Sequence, residues 1–306
     1  MKDKKWLIAL ICVVLAVAVA AVVLLTRPKD EAKDPATANT PETESAGETG
    51  APATEASATD VPETDAAGEK DALQEIRERG KLVIAMEGAW QPWTYHDEAG
   101  HLTGFDVEVG QLIAEGLGVE AEFKETAWDG ILAGVDSGRF DIACNGVGYT
   151  EKRAEAYNFS TPYVYTEMVL VVRDDNEEIK SMDDLKGKKT ANSPNSTYAM
   201  RAEAAGAEVV YVDTLGETME MLVQGRVDAT LNAMDSVVYY LAEHPDAKIK
   251  VVLTIAGEPV AIPMMKGERT ESLKAEIDRI LEEARQDGRL AALSEKYFGR
   301  DLTKEE

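Results

Sequence analysis

The sequence predicts an α/β fold of two lobes, set behind an N-terminal membrane-spanning segment and an unstructured linker. Three observations carry this reading. A single apolar run, Trp6 to Leu25, follows Lys2, Lys4 and Lys5. Residues 28–70 then contain almost no large apolar side chain. From Asp71 onward, short apolar segments of strand length alternate with amphipathic segments of helical period, in two successive rounds. Such alternation is the pattern of a mostly parallel sheet covered by helices.

The apolar run is long enough to cross a bilayer, which takes about 20 residues of helix. Its basic flank comes first, so that flank stays in the cytoplasm and the rest of the chain is sent outward. Residues 1–27 read as an uncleaved signal-anchor in preference to a cleaved signal peptide. The end of the run, Val23-Leu24-Leu25-Thr26-Arg27, lacks the small-residue cleavage pattern, and a cut would have to fall within Ala16 to Ala21. Cys12 sits inside the run and is not read as lipidated. Segment 28–70, rich in Ala, Thr, Pro and Glu, cannot bury enough surface to offset its ordering entropy and reads as a disordered acidic linker.

A formal net charge of -25 argues against a nucleic-acid partner, whose phosphates it would repel. Cys12, within the expected membrane span, cannot pair with Cys144 in the outer domain, and with no further cysteine no intramolecular disulfide is available. The cysteines, together with His96, His101 and His244, form no metal-ligand pattern. No metal or other cofactor is expected.

In the first round Leu82–Met86 reads as a buried strand, Val107–Leu117 as a helix, Val119–Phe123 as a strand, Gly130–Asp136 as a helix and Phe140–Cys144 as a strand. In the second, Met168–Val172, Lys189–Ala191, Val209–Val212 and Ala229–Leu231 read as strands. Helices fall at Ser196–Ala205 and Thr218–Gln224. Strands at Val251–Thr254 and Val260–Met264 follow, then helices at Leu273–Asp287 and Leu290–Tyr297.

Asp106 and Asp129 each stand at a predicted helix start, where capping explains them. The segment Asn145 to Arg153 is more informative, because it leaves the carboxyl end of a strand through Gly146 and Gly148 and enters a helix at Thr150. Ligands of open α/β sheets bind outside the carboxyl ends of strands, and glycines admit a close approach to the backbone. Arg153 falls in the first helical turn, and its planar fork suits a carboxylate. Ser196 and Thr197 open a helix in the second round in the same way, so their amides and hydroxyls can meet the same anion.

The segments EGAWQPWTY, GFDVEV, WDGILAGVDSGRFD, GYTEKR, FSTPY, LKGKK, GRVDATLN and LSEKYFG, in that order, resemble the bacterial extracellular solute-binding proteins of polar amino acid ABC transporters. The resemblance runs from about Lys81 to Thr303, and GRVDATLN with the EG pair is most like the cystine-binding branch. It implies a two-lobe, type II periplasmic-binding-protein-like fold that closes by a hinge, with residues 71–166 plus 259–306 in lobe 1 and 167–258 in lobe 2. By position, Trp90 and Trp128 flank the solute side chain, Gly146 and Gly148 meet the solute through their backbone, and Arg153 and Thr197 hold its carboxylate. Many relatives bind the solute's amino group with an aspartate where this chain has Ala233. Asn232, Asp235 and Glu87 are the candidates to replace it.

The resemblance further implies an amino acid as ligand, ABC permease and ATPase subunits as partners, and a monomer whose extracytoplasmic domain is held to the membrane by the N-terminal helix. Two other classes remain open from the sequence: a dehydratase-like enzyme using Glu87 on a small carboxylic acid, and a ligand-sensing domain for a separate signalling protein.

Overall fold

In a computed structural model, residues 70–305 are described. The expected signal-anchor at 1–27 and the linker, apart from Lys70, lie outside the described residues. Among the described residues, no helix is long and apolar enough to cross a membrane.

The first round of the sequence forms α1 (Ala72–Arg79), β1 (Lys81–Met86), a short hairpin of β2 (Tyr95–His96) and β3 (Leu102–Thr103), α2 (Phe105–Leu117), β4 (Glu120–Glu125), α3 (Trp128–Asp136) and β5 (Ile142–Ala143). The strands make a parallel sheet in the order β4-β1-β5, with Lys81 opposite Glu120 and Ile84 opposite Ile142. Successive residues of β1 point to opposite faces. Leu82, Ile84 and Met86 therefore join the core that contains Ile113 of α2, while Ala85 joins Trp128, Ile131 and Val135 on the other side. Burial on both faces is why this strand reads as an unbroken apolar run.

The second round comprises α4 (Glu151–Ala156), β6 (Tyr157–Phe159), β7 (Val164–Arg173), β8 (Lys189–Asn192), α5 (Thr197–Ala204), β9 (Glu208–Tyr211), α6 (Leu215–Val223), β10 (Ala229–Ala233), α7 (Met234–Glu243) and β11 (Ile249–Val260). Its sheet has the order β11-β7-β10-β8-β9. The faces of β7 alternate as those of β1 do: Met168, Leu170 and Val172 enter one core, Val169 and Val171 the other. The chain ends with β12 (Pro263–Met265), paired antiparallel to β6, and with α8 (Glu271–Gln286) and α9 (Arg289–Phe298). Leu273, Ile277, Leu281 and Leu290 of these last helices complete the core around β1 and α2.

Three expectations are corrected. The second sheet is mixed, because β7 runs antiparallel to both β10 and β11. The two strands expected at Val251–Thr254 and Val260–Met264 are instead one long β11, followed separately by β12. Register shifts at Val251/Leu253 and Ala256/Pro259 let β11 continue through Gly257-Glu258-Pro259, where a pattern reading sees a break. Helix α7 has no counterpart in the sequence reading. Its Val237, Val238, Tyr239 and Tyr240 have the composition of a strand, and packing against β7 and β10 overrides that preference.

Leu170 is fully buried in the middle of β7. Leu170→Ala should cost roughly 2–5 kcal/mol. The check is a lower urea midpoint with an unchanged slope.

Candidate functional site

Four strands end at one place. Glu87 follows the last residue of β1, Asn145 and Gly146 lie just beyond β5, Ser193 follows β8, and Asn232 is the next-to-last residue of β10. Together with the loop at Trp90 and the openings of α3 and α5, these strand ends enclose a cavity of about 50 Å³. One water needs roughly 10–15 Å³, so the space suits a small solute. Glu87, Trp90, Trp128, Gly146, Gly148, Arg153, Ser196, Thr197 and Asn232, all expected from the sequence, line it.

Asp235 does not line the cavity. It lies in the first turn of α7 and is buried, with its carboxylate 3.5 Å from the Arg300 guanidinium. A residue three beyond Asn232 has already turned into the helix, which carries the side chain away from the strand end. At Ala233 the backbone N–H donates to the side-chain oxygen of Asn232 over 2.9 Å.

Arg153 is 7% exposed. Thr150 caps α4 and accepts the Arg153 backbone N–H. The guanidinium donates from Nη1 to the Gly148 carbonyl at 2.7 Å and from Nη2 to the Asn195 carbonyl at 2.9 Å, so it joins the loop after β5 to the loop that opens α5. Its carbon lies 5.5 Å from the centre of the Trp128 ring, within cation–π range. Of the five N–H donors of an arginine, two are thus committed to carbonyls. Burial lowers the Arg153 pKa from its ordinary value, opposed by the nearby Glu258 carboxylate; an arginine in a protein stays charged all the same.

Opposite Arg153, Ser196 caps α5 by accepting the Ala199 N–H at 3.1 Å, as expected, and donates its own hydroxyl hydrogen to the Ser193 carbonyl at 2.8 Å. Asn195, immediately before it, is the only non-glycine residue with positive φ among the described residues, at 60°. The walls meet most tightly at Gly148, where a Cβ would come 2.9 Å from Cβ of Glu258 and 3.4 Å from Cγ2 of Thr197. Any larger residue there would hold the two walls apart.

Glu87 is held by Asn145, whose Nδ2 donates to the carboxylate at 2.7 Å while its Oδ1 accepts the Glu87 backbone N–H at 2.9 Å. Removal from water pushes the Glu87 carboxyl up to about 7, and the Asn145 hydrogen bond only partly offsets this. Asn145, with Asn192, Tyr198 and Thr218, lines the cavity without having been singled out in the sequence. The available signal was a polar residue closing an apolar strand, as in Ile-Ala-Cys-Asn-Gly at 142–146 and Thr-Ala-Asn at 190–192.

The two tryptophans play different parts. Trp90 stacks on Trp93 with ring centres 5.1 Å apart and meets Tyr198 edge-on at 6.5 Å, while Trp128 lies beneath Arg153. Neither aspartate expected to cap a helix does so. Gly104 and Ala127 occupy the capping positions of α2 and α3, and no side chain caps either helix. Asp106 is instead fully buried inside the first turn of α2, and loss of hydration raises its carboxyl to about 7.

A cavity enclosed by the carboxyl ends of strands from two α/β lobes, with one buried cation and one carboxylate facing a small ligand space, defines a solute-binding protein of the two-lobe type. Residues 82–300 match the family described as bacterial extracellular solute-binding proteins, family 3, and the chain belongs to that family. L-cystine-binding protein TcyA of Bacillus subtilis is 38% identical over 235 residues, which cover 76% of this chain and 87% of that protein. An ancestral arginine-binding protein bound to arginine superposes with a TM-score of 0.68 at 36% identity, covering 72% of this chain and 99% of the other. The L-cystine solute receptor of Neisseria gonorrhoeae in its unliganded open conformation gives 0.52 at 39% identity, covering 76% and 99%. The fold is thus the two-lobe, type II periplasmic-binding-protein fold, and the relatives just described are binding proteins, which supports a binding protein over an enzyme for this chain.

The raised Glu87 carboxyl makes stability depend on pH in a definite direction. Between its ordinary value of 4.5 and about 7, the folded protein holds a proton that the unfolded chain has released. This contribution is therefore fully present below pH 4.5 and is lost as pH rises through about 7. Glu87→Gln should flatten the decline in Tm between pH 5 and pH 8 in ligand-free protein.

Proposed function

We propose that this protein captures a polar amino acid outside the cytoplasm for an ABC importer, with cystine as the particular candidate, and that two lobes close on the solute. The observation that supports this reading best is the double engagement of Arg153, which bonds a carbonyl on each wall of the cavity and has further N–H groups for a carboxylate. The opening of α5 at Ser196 and Thr197 approaches from the other wall and adds backbone donors for the same anion.

Glu87 is the group we assign to an ammonium, in place of the aspartate that Ala233 lacks. It is the one carboxylate lining the cavity among the described residues. A bound ammonium would pull its raised pKa down and leave it ionised. Trp90 and Trp128 then bound the solute's side chain, Gly146 and Gly148 admit it close to the backbone, and Asn232 adds a neutral polar contact.

In this reading lobe 1 consists of residues 71–166 plus 259–306 and lobe 2 of 167–258, so both boundaries fall within β7 and β11. Those paired strands are the natural hinge. The poorer superposition on an open, unliganded receptor than on an arginine-bound protein, despite slightly higher identity, supports a closed arrangement here. Residues 1–27 would tether the domain to the membrane through the linker 28–70, and the closed monomer would dock on permease and ATPase subunits.

Thermal unfolding of residues 70–306 against amino acids, cystine and carboxylic acids without an amino group tests the reading. A solute at 100 times its dissociation constant should add roughly 2.7 kcal/mol. Arg153→Ala should weaken that solute on the order of 100-fold, as the loss of charge-assisted hydrogen bonds requires. Stabilisation only by acids lacking an amino group would overturn the amino acid assignment.

A further inference from the structure

Behind the cavity wall lies a carboxylate that touches neither the solute space nor any cation. Asp106 is fully buried, and both of its oxygens accept a hydrogen bond: Oδ2 from the Gly146 backbone N–H at 2.5 Å and Oδ1 from the Tyr163 hydroxyl at 2.7 Å. No lysine, arginine or histidine pairs with it among the described residues. A buried, unpaired carboxylate is costly, so its two acceptor bonds must hold something that matters.

What they hold are two different parts of the binding apparatus. Gly146 lines the cavity and has φ of 56°, a left-handed conformation that leaves its amide pointing away from the solute space and toward Asp106. Its position is tight, since a Cβ there would meet the Trp90 ring at 2.6 Å. Tyr163, also fully buried, immediately precedes β7, and its backbone N–H donates to Val260 at the end of β11. Asp106 itself is tied to the Trp90–Trp93 loop, because its own N–H donates to the Trp93 carbonyl at 3.0 Å.

We propose that Asp106 is a positioning residue of the solute site, a single buried anchor that fixes the Gly146 loop against Trp90 and links it through Tyr163 to the start of the paired strands β7 and β11. This rests on the proposed solute reading. Removing the anchor should loosen the wall and uncouple it from those strands without removing any group that touches solute.

The test combines calorimetric titration with L-cystine and the NMR signal of the Gly146 amide. Wild type should show that amide shifted downfield, as a hydrogen bond to a carboxylate produces, and slow to exchange. Asp106→Ala should lose the downfield shift and the protection and bind cystine roughly tenfold or more weakly, the worth of one bond to a charged group. Asp106→Asn, which keeps one acceptor for Gly146 and can donate to Tyr163, should recover part of both. Folded Asp106→Ala with wild-type cystine affinity, or Asp106→Asn no better than Asp106→Ala, overturns the proposal. Tyr163→Phe removes only the hydroxyl; it should keep the Gly146 shift and still weaken cystine several-fold, so wild-type affinity in this variant overturns the link to β7 even if the Asp106 variants do not fold. If wild type binds no cystine, the cystine assignment falls and the titrations are run with the amino acid that stabilises wild type, while the Gly146 signal still decides whether Asp106 anchors the loop.

Discussion

The antiparallel pairing of β7 with β11 is the constraint on which the rest of the molecule hangs. It runs from Val164 opposite Val260 to Arg173 opposite Ile249. The inner residues of β7 split between two apolar cores of the second sheet, while Val164 and Val260 at the other end belong to the core around β1. One ladder of backbone hydrogen bonds therefore belongs to both halves of the molecule. Bulges in β11 give the ladder its local twist, and Gly148 bridges to Val260 where the ladder meets the cavity.

Against that frame, a strongly acidic chain builds its site around one buried cation. The full sequence carries a net charge of -25, yet Arg153 is desolvated between two carbonyls and an indole face. Interactions of a charge strengthen as water is excluded, so a single guanidinium in an enclosed space outweighs many solvated carboxylates outside it. The same exclusion of water raises Glu87 and Asp106 to about 7 by one cause, yet their surroundings differ. Glu87 faces the cavity, where a ligand can supply the missing positive charge; Asp106 faces only its own scaffold.

Much of this was legible in the chain itself. Leu82–Met86 and Met168–Val172 announce strands buried on both faces because period-2 packing on two sides demands an unbroken apolar run. The glycines after β5 and the Thr150 and Ser196 caps are local chemistry, so Arg153, Thr197 and the cavity floor followed from spacing and from the ordered motifs. Elements whose identity comes from packing were not legible: α7 has strand-like residues, and β11 bridges a glycine and a proline that punctuate the pattern.

The sequence by itself determined the two-round α/β plan, the family and nine of the residues around the cavity, because periodicity, capping and motif order are properties of neighbours along the chain. Only the tertiary structure decided which acid faces the cavity and which do not. Asp106 left its expected cap to hold Gly146 and Tyr163, and Asp235 turned away to Arg300. Asn145, given no role of its own in the sequence reading, came to grip Glu87 across a separation of 58 residues. A carboxylate's role depends on what lies within hydrogen-bonding reach and how much water remains, and both are set by contacts distant in sequence.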